Sequence, residues 1–141
     1  MGSTVAEIDP RLISFGLPSI PESVPMARFH VRAALGFHEL GEYANDAEIV
    51  TSELVTNAIQ HVPGDGAETV VVTLVRTWNP EAVTVIVWDS SPEGPVIREP
   101  SADSERGRGL QVVEALSACW GWHPEDGGKV VLAILAKAAG A

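Results

Sequence analysis

The succession of apolar and polar positions divides the chain into helical and extended segments. Pro25 suits the first turn of an α-helix, which is predicted over residues 25–40 and is expected to end at Gly41. Asn45 or Asp46 can cap a second helix, predicted to continue to about His61. The apolar residues of this second helix fall on one arc at about 100° per residue, so we expect that arc to pack against a core.

Two hairpins and a third helix are predicted after the second helix. The tight Asn79-Pro80 connection and the Asp126-Gly127-Gly128 turn each separate two β-rich runs, which is typical of hairpins. In chain order these elements are predicted over Thr69–Thr77, Ala82–Trp88, Gly109–Ala118, Cys119–His123 and Lys129–Ala136.

The order of the elements predicts the fold class and the domain organisation. Residues 1–23 contain three prolines and a short apolar run, which predict an N-terminal arm with one candidate edge strand. Residues 24–141 are predicted to form a single domain, with a long loop over about residues 90–106. Helices grouped against a largely antiparallel sheet indicate an α+β protein, a two-layer α/β sandwich with its helices on one face.

Composition narrows the classes of function. The chain has 141 residues and a formal net charge of −10, which argues against a nucleic-acid or anionic-membrane surface. No apolar run approaches the roughly 18 to 20 residues that span a bilayer, and the first residues do not resemble a signal peptide, so we expect a cytoplasmic protein. The single cysteine, Cys119, excludes an internal disulfide and is predicted to be a small core residue.

Glu53 and Asn57 are the first candidate functional residues. They are four residues apart on the polar arc of the second helix, so their side chains point the same way, one turn apart. A carboxylate can act as general base, and an amide oxygen is a hard neutral ligand that suits Mg²⁺. Taken alone, such a pair is more often part of a solvated polar helix face.

Two further features suggest recognition of a nucleotide. Arg106, Gly107, Arg108, Gly109 and Leu110 lead into the third helix, where glycines let backbone amides approach an anion and arginines suit phosphate. The same glycines could merely relieve crowding at a helix entry. Asp89 ends a buried-looking strand, and a carboxylate there would accept a hydrogen bond from the exocyclic amine of adenine. It is otherwise an ordinary turn aspartate.

Taken in order, the segments Glu53–His61, Asp89 and Arg106–Leu110 resemble the motifs of the GHKL (histidine-kinase-like) ATPase superfamily. Within it, the chain is similar to the anti-sigma factor serine/threonine kinases of partner-switching systems. The resemblance covers roughly residues 24–136. It implies a Bergerat-type ATP-binding fold with a mixed, mainly antiparallel sheet.

The resemblance also implies roles for the motif residues. Glu53 would be the catalytic base, Asn57 the Mg²⁺ ligand and Asp89 the residue that recognises adenine. The segment Arg106–Leu110 would bind the phosphates of ATP, and residues 90–106 would form a lid over them. The partners would be a sigma factor and an anti-anti-sigma (STAS-type) protein, which the kinase phosphorylates, and the kinase would be a homodimer.

The sequence leaves a second function open. Ser91 replaces a glycine that the family usually has, and Val130 lies where the family favours a threonine. These departures favour an alternative in which a regulator of the same kind binds its partner with weakened or lost nucleotide binding and without catalysis. A stand-alone ATPase, with water as the acceptor, is a third possibility.

Overall fold

The computed structural model describes residues 9–61, 68–93 and 109–137. They form five β-strands, three α-helices and a short 3₁₀ turn over Gly41–Tyr43. The first half contains β1 (Arg11–Pro18), α1 (Ser23–Phe37) and α2 (Ala44–His61). The rest contains β2 (Thr69–Trp78), β3 (Glu81–Asp89), α3 (Gly109–Leu116), β4 (Cys119–Glu125) and β5 (Gly128–Ala136). Every predicted helix and strand is present, with ends that differ from the prediction by a few residues.

The strands form one sheet in the order β1-β2-β3-β5-β4. The two predicted hairpins, β2–β3 and β4–β5, are confirmed, and β5 inserts between β3 and β4. The apolar run in the N-terminal arm forms β1, an edge strand that pairs with β2. All pairings among the described strands are antiparallel, so the parallel component that a mixed sheet would contain does not occur in them.

The core lies between the sheet and the helices. Because successive side chains of a strand point to opposite faces, alternate residues of β3 and β5 are buried beneath the helices. These residues are Val83, Val85, Val87, Val131, Ala133 and Leu135. The helices contribute residues spaced by three or four, including Ala27, Val31, Leu35, Val50, Leu54 and Ala58. The predicted two-layer α+β architecture is therefore confirmed.

The turn between β4 and β5 brings two backbones unusually close together. A Cβ atom added to Gly128 would lie 1.9 Å from the carbonyl oxygen of Asp89, in the neighbouring strand β3. Gly127 and Asp126 have positive φ angles of 77° and 50°, as a tight turn requires. Only glycine therefore allows β5 to begin directly beside the end of β3.

Cys119 corrects one prediction from the sequence. It is exposed on β4, not part of the core. Strand β4 lies at the edge of the sheet, and β5 carries the buried positions of this hairpin. The sequence placed Cys119 at the start of a strand, but it did not show which strand of the hairpin would be buried under the helices.

A polar cluster lies at the other end of β3. The Tyr43 hydroxyl donates a hydrogen bond of 2.9 Å to Glu81 Oε1, and Arg76 donates one of 3.3 Å to Glu81 Oε2. Burial, followed by the hydrogen bond to a carboxylate, raises the pKa of Tyr43 to about 12. The hydrogen bond from Tyr43 lowers the pKa of Glu81. The cluster joins the 3₁₀ turn that precedes α2 to the β2–β3 hairpin.

Candidate functional site

Glu53 lies where α2 meets the first residue of α3. A Cβ atom added to Gly109 would be 2.7 Å from Glu53 Oε2, so the carboxylate rests directly against the Gly109 Cα. The Glu53 side chain is half-buried here, and burial raises its pKa. A carboxylate with a raised pKa holds a proton more readily, which suits a general base.

Asn57 follows one turn later on the same helix. Its Oδ1 atom is buried and has no hydrogen-bond partner among the described residues. Buried polar atoms are normally satisfied, so an unpaired amide oxygen needs an explanation. A hard neutral oxygen with a free lone pair fits Mg²⁺, which takes one or two protein ligands and fills its shell with water and phosphate oxygens. The residue present therefore fits the cation that the sequence predicted.

The rest of α2 explains why Glu53, which contacts Gly109 of α3, and Asn57 lie on the arc of the helix opposite its core-facing residues. Leu54, Val55 and Ala58 are at most 2% exposed and hold the opposite arc of the helix in the core, as the periodicity predicted. Val113 of α3 joins the same core. Because α3 packs against α2, the polar arc is partly covered and is not a fully solvated face.

Asp89 and Lys129 form a buried ion pair at the end of the central strands. Both side chains point toward the helices, because they continue the buried alternation of β3 and β5, and the two residues are directly opposite in register. Asp89 is 1% exposed and Lys129 is 0% exposed. The Lys129 Nζ atom lies 2.9 Å from each carboxylate oxygen, but only the contact with Oδ1 has the angles of a hydrogen bond.

Sequence reasoning placed Lys129 correctly at the start of a strand but assigned it no part in the site. The signal was available in the alternation: Lys129 is two residues before Val131, so it shares the helix-facing side of β5. Val130 points to the other side of the sheet, where it lines a cavity of about 560 Å³ with Ile86 and Trp88. The side chain that faces Asp89 from β5 is therefore the lysine, and a hydroxyl at position 130 would not reach it.

Several predicted phosphate-binding residues lie outside the described residues. These are Arg106, Gly107 and Arg108, together with residues 94–106 of the predicted lid. Gly109 is described and faces Glu53. The Leu110 side chain is 4% exposed and belongs to the hydrophobic core, so only its backbone remains for contact with a ligand.

A comparison with models of protein families shows the family to which the chain is related. Residues 17–135 match the model of the histidine kinase-like ATPase domain, which is most of the sequence. The chain belongs to this family. No relative among curated proteins matches it.

Membership of the histidine kinase-like ATPase family supports binding of ATP, usually with Mg²⁺, and ATP-dependent phosphotransfer in general. The orphaned Asn57 oxygen and the half-buried Glu53 carboxylate agree with that chemistry. Within the part of the chain that the structure describes, no helix is long and apolar enough to cross a bilayer.

Proposed function

We propose that the protein is an ATP-dependent serine/threonine kinase that acts as an anti-sigma factor. In this proposal it binds a sigma factor, phosphorylates an anti-anti-sigma protein of the STAS type and works as a homodimer in the cytoplasm. The family relationship supplies ATP binding, and the resemblance of the motifs supplies the choice of partners.

The observation that carries the proposal is the arrangement of Glu53, Asn57 and Gly109. A carboxylate with a raised pKa lies against a glycine at a helix N-terminus, and an unpaired amide oxygen follows one turn later on the same helix. Phosphoryl transfer needs a group that orients the acceptor, a cation on the phosphates and close backbone approach to them. These three residues can supply those needs.

Each residue has a distinct part in the reaction. Asn57 would hold Mg²⁺, which neutralises charge on the phosphates. Glu53 would accept the proton of the acceptor hydroxyl as that oxygen attacks the γ-phosphorus, and the bond to the β-bridging oxygen breaks. The backbone of Gly109, at the start of α3, adds the partial positive charge of a helix N-terminus near the phosphates.

Transfer of labelled γ-phosphate from ATP to a purified STAS-domain partner tests the proposal. We expect Glu53→Gln to reduce transfer by about 10²- to 10⁴-fold, the usual contribution of a general base. The matched control is Glu114→Gln, which removes an exposed carboxylate of α3 and should leave transfer unchanged. Transfer that is equally fast in the Glu53→Gln protein would remove the assigned base.

The molecule that accepts the γ-phosphate distinguishes a protein kinase from a stand-alone ATPase. A kinase should release little phosphate from Mg-ATP alone and should phosphorylate the partner on serine or threonine. Phosphate release that is fast without any partner would instead show that water is the acceptor.

One observation favours the alternative of a partner-binding regulator without catalysis. The Asp89 carboxylate, predicted to recognise adenine, is already paired with Lys129 and has almost no exposed surface. Calorimetry with Mg-ATP decides between the two functions. A stable complex with a sigma factor, combined with no heat of binding at millimolar nucleotide, would establish the alternative.

A further inference from the structure

Three rows of side chains line the face of the sheet that is turned away from the helices. Register partners in neighbouring strands point to the same side of a sheet, so the pairings identify each row. From β1 across to β4, the rows are Gly16-Val71-Trp88-Val130-His123, Ser14-Thr73-Ile86-Leu132-Gly121 and Arg11-Val75-Thr84-Ile134-Cys119. These rows together are called the outer face below.

The middle of the outer face is apolar, although it contributes nothing to the core beneath the helices. Its large apolar side chains belong to the three central strands and are absent from the core cluster: Val71, Val75, Ile86, Trp88, Val130, Leu132 and Ile134. Polar groups among them already have partners. The hydroxyls of Ser14 and Thr73 form a hydrogen bond of 2.9 Å, and the indole N–H of Trp88 donates one of 2.9 Å to the Glu125 carbonyl. Removing this face from water therefore leaves none of these three groups without a partner.

The distribution of charge favours contact between two copies of the chain. The protein has a formal net charge of −10, so two copies repel each other over most of their surfaces. The three rows, in contrast, contain one charged side chain, Arg11, which lies at a corner and is already paired with Asp9. A neutral apolar face is complementary to itself, as the interface of a two-fold symmetric dimer requires. A strongly charged partner would find no opposite charges there.

The outer face is also large enough for a stable interface. The sheet has five strands, which are 7 to 10 residues long. With about 3.3 Å per residue and about 4.8 Å between strands, the face measures roughly 650 Å². Two such faces in contact would bury roughly 1,300 Å² in total, which lies in the range of specific protein–protein interfaces. The hollow of about 560 Å³ beside Trp88 is one part of this surface.

We propose that the outer face is the contact surface of a homodimer in which two copies pack sheet against sheet. The inference rests on the homodimer of the proposed function and names the surface that forms it. Glu53 and Asn57 belong to α2, on the opposite side of the sheet. Both candidate sites therefore remain open in this dimer, and each is complete within one chain.

The first experiment determines the mass of the protein by sedimentation equilibrium, in the wild type and in Ile86→Glu. Ile86 lies in the middle row of the central strand β3 and is half-buried in the single chain. We expect a wild-type dimer at about 100 μM, because interfaces of this size bind at micromolar or lower concentrations. A two-fold dimer contains the position twice, so Ile86→Glu places two carboxylates in an apolar contact. The dissociation constant should rise by at least about 100-fold.

Phe29→Glu is the matched control. It introduces the same carboxylate on the other layer, where the Phe29 side chain of α1 is 67% exposed. This variant should remain dimeric. A monomeric wild type, or an Ile86→Glu protein as dimeric as the wild type, overturns the inference. Dissociation by Phe29→Glu to the same extent contradicts it too, because the contact would then involve the helix layer.

Thr84→Glu keeps the test decisive should Ile86→Glu not fold. It exchanges one polar side chain of the outer face for another, two residues along β3, so it removes no apolar packing from the single chain. We expect it to raise the dissociation constant by at least about 10-fold. Circular dichroism shows that each variant is folded, and an unchanged dimer in folded Thr84→Glu contradicts the inference.

Calorimetry with Mg-ATP separates the interface from the nucleotide site. The monomeric variant should bind Mg-ATP with an affinity per chain within about 3-fold of the wild type, because the candidate site lies on the other side of the sheet. Loss of binding on dissociation would contradict the sheet-to-sheet arrangement. A wild-type dimer that binds no Mg-ATP removes the proposed kinase and leaves the interface standing. A monomeric wild type that binds Mg-ATP removes the interface alone.

Discussion

The substitution Gly128→Ala should destabilise the protein strongly, although it adds a single methyl group. The new Cβ atom would lie 1.9 Å from the Asp89 carbonyl oxygen, 2.9 Å from its carbonyl carbon and 3.0 Å from Ser90 Cα. All three are backbone atoms, so no change of rotamer can relieve the overlap. Strands β3 and β5 must therefore separate by at least about 1 Å where they meet.

The loss of stability can be estimated from the contacts between β3 and β5 at that point. Separation loosens the register pair of Asp89 and Lys129, whose ion pair is almost completely buried. Overpacking costs about 1–3 kcal/mol, and disruption of a buried ion pair about 3–5 kcal/mol. Because the two strands can move apart without breaking the ion pair completely, we expect Gly128→Ala to lower the free energy of unfolding by about 3 kcal/mol. For a chain of this length that lowers Tm by roughly 10 °C.

Thermal unfolding followed by circular dichroism measures the effect. The matched control is Gly121→Ala in the neighbouring strand β4, where an added Cβ meets no atom within 4 Å. We expect the control to unfold at or slightly above the wild-type temperature, because alanine lowers the entropy of the unfolded chain. If Gly128→Ala unfolds within about 2 °C of Gly121→Ala, the close approach of the two backbones is not as described.

Three other predictions concern the site and the polar cluster. Gly109→Ala should keep the fold, because the atom it meets is the movable end of Glu53, but should slow phosphate transfer by about 10- to 100-fold by displacing that carboxylate. Burial raises the folded-state pKa of Glu53, so its ionised form costs stability at neutral pH, and this cost disappears as the pH falls toward the usual value of 4.5. Glu53→Gln should accordingly unfold at a higher temperature than wild type at pH 7, with a gap that closes toward pH 4.5; a constant gap contradicts the assigned shift. Tyr43 is the single tyrosine, so tyrosinate absorbance should titrate near pH 12. The protein should lose stability between pH 10 and 12, because the folded state holds the phenol proton more tightly than the unfolded chain does. A titration midpoint near pH 10 would mean that the hydroxyl is not buried against Glu81.

The local pattern of the sequence was sufficient for the elements and for part of the site. The spacing of Glu53 and Asn57 placed both side chains on one side of a helix, because any α-helix repeats every 3.6 residues. Glycine and proline positions located the ends of most helices and strands, and the order of the elements indicated the two-layer α+β architecture. These properties depend on the backbone geometry of neighbouring residues, which the sequence contains.

The pairing of distant elements was decided by the tertiary structure. Alternation could place Asp89 and Lys129 on inner faces of two strands, but only the insertion of β5 beside β3 makes them register partners. In the same way, the approach of Gly109 to Glu53 depends on how α3 packs on α2. Periodicity specifies which face of an element is buried; it does not specify which other element covers that face. The environment that buries Glu53, and the partner that orients Asp89, therefore arise from packing between residues far apart in the chain.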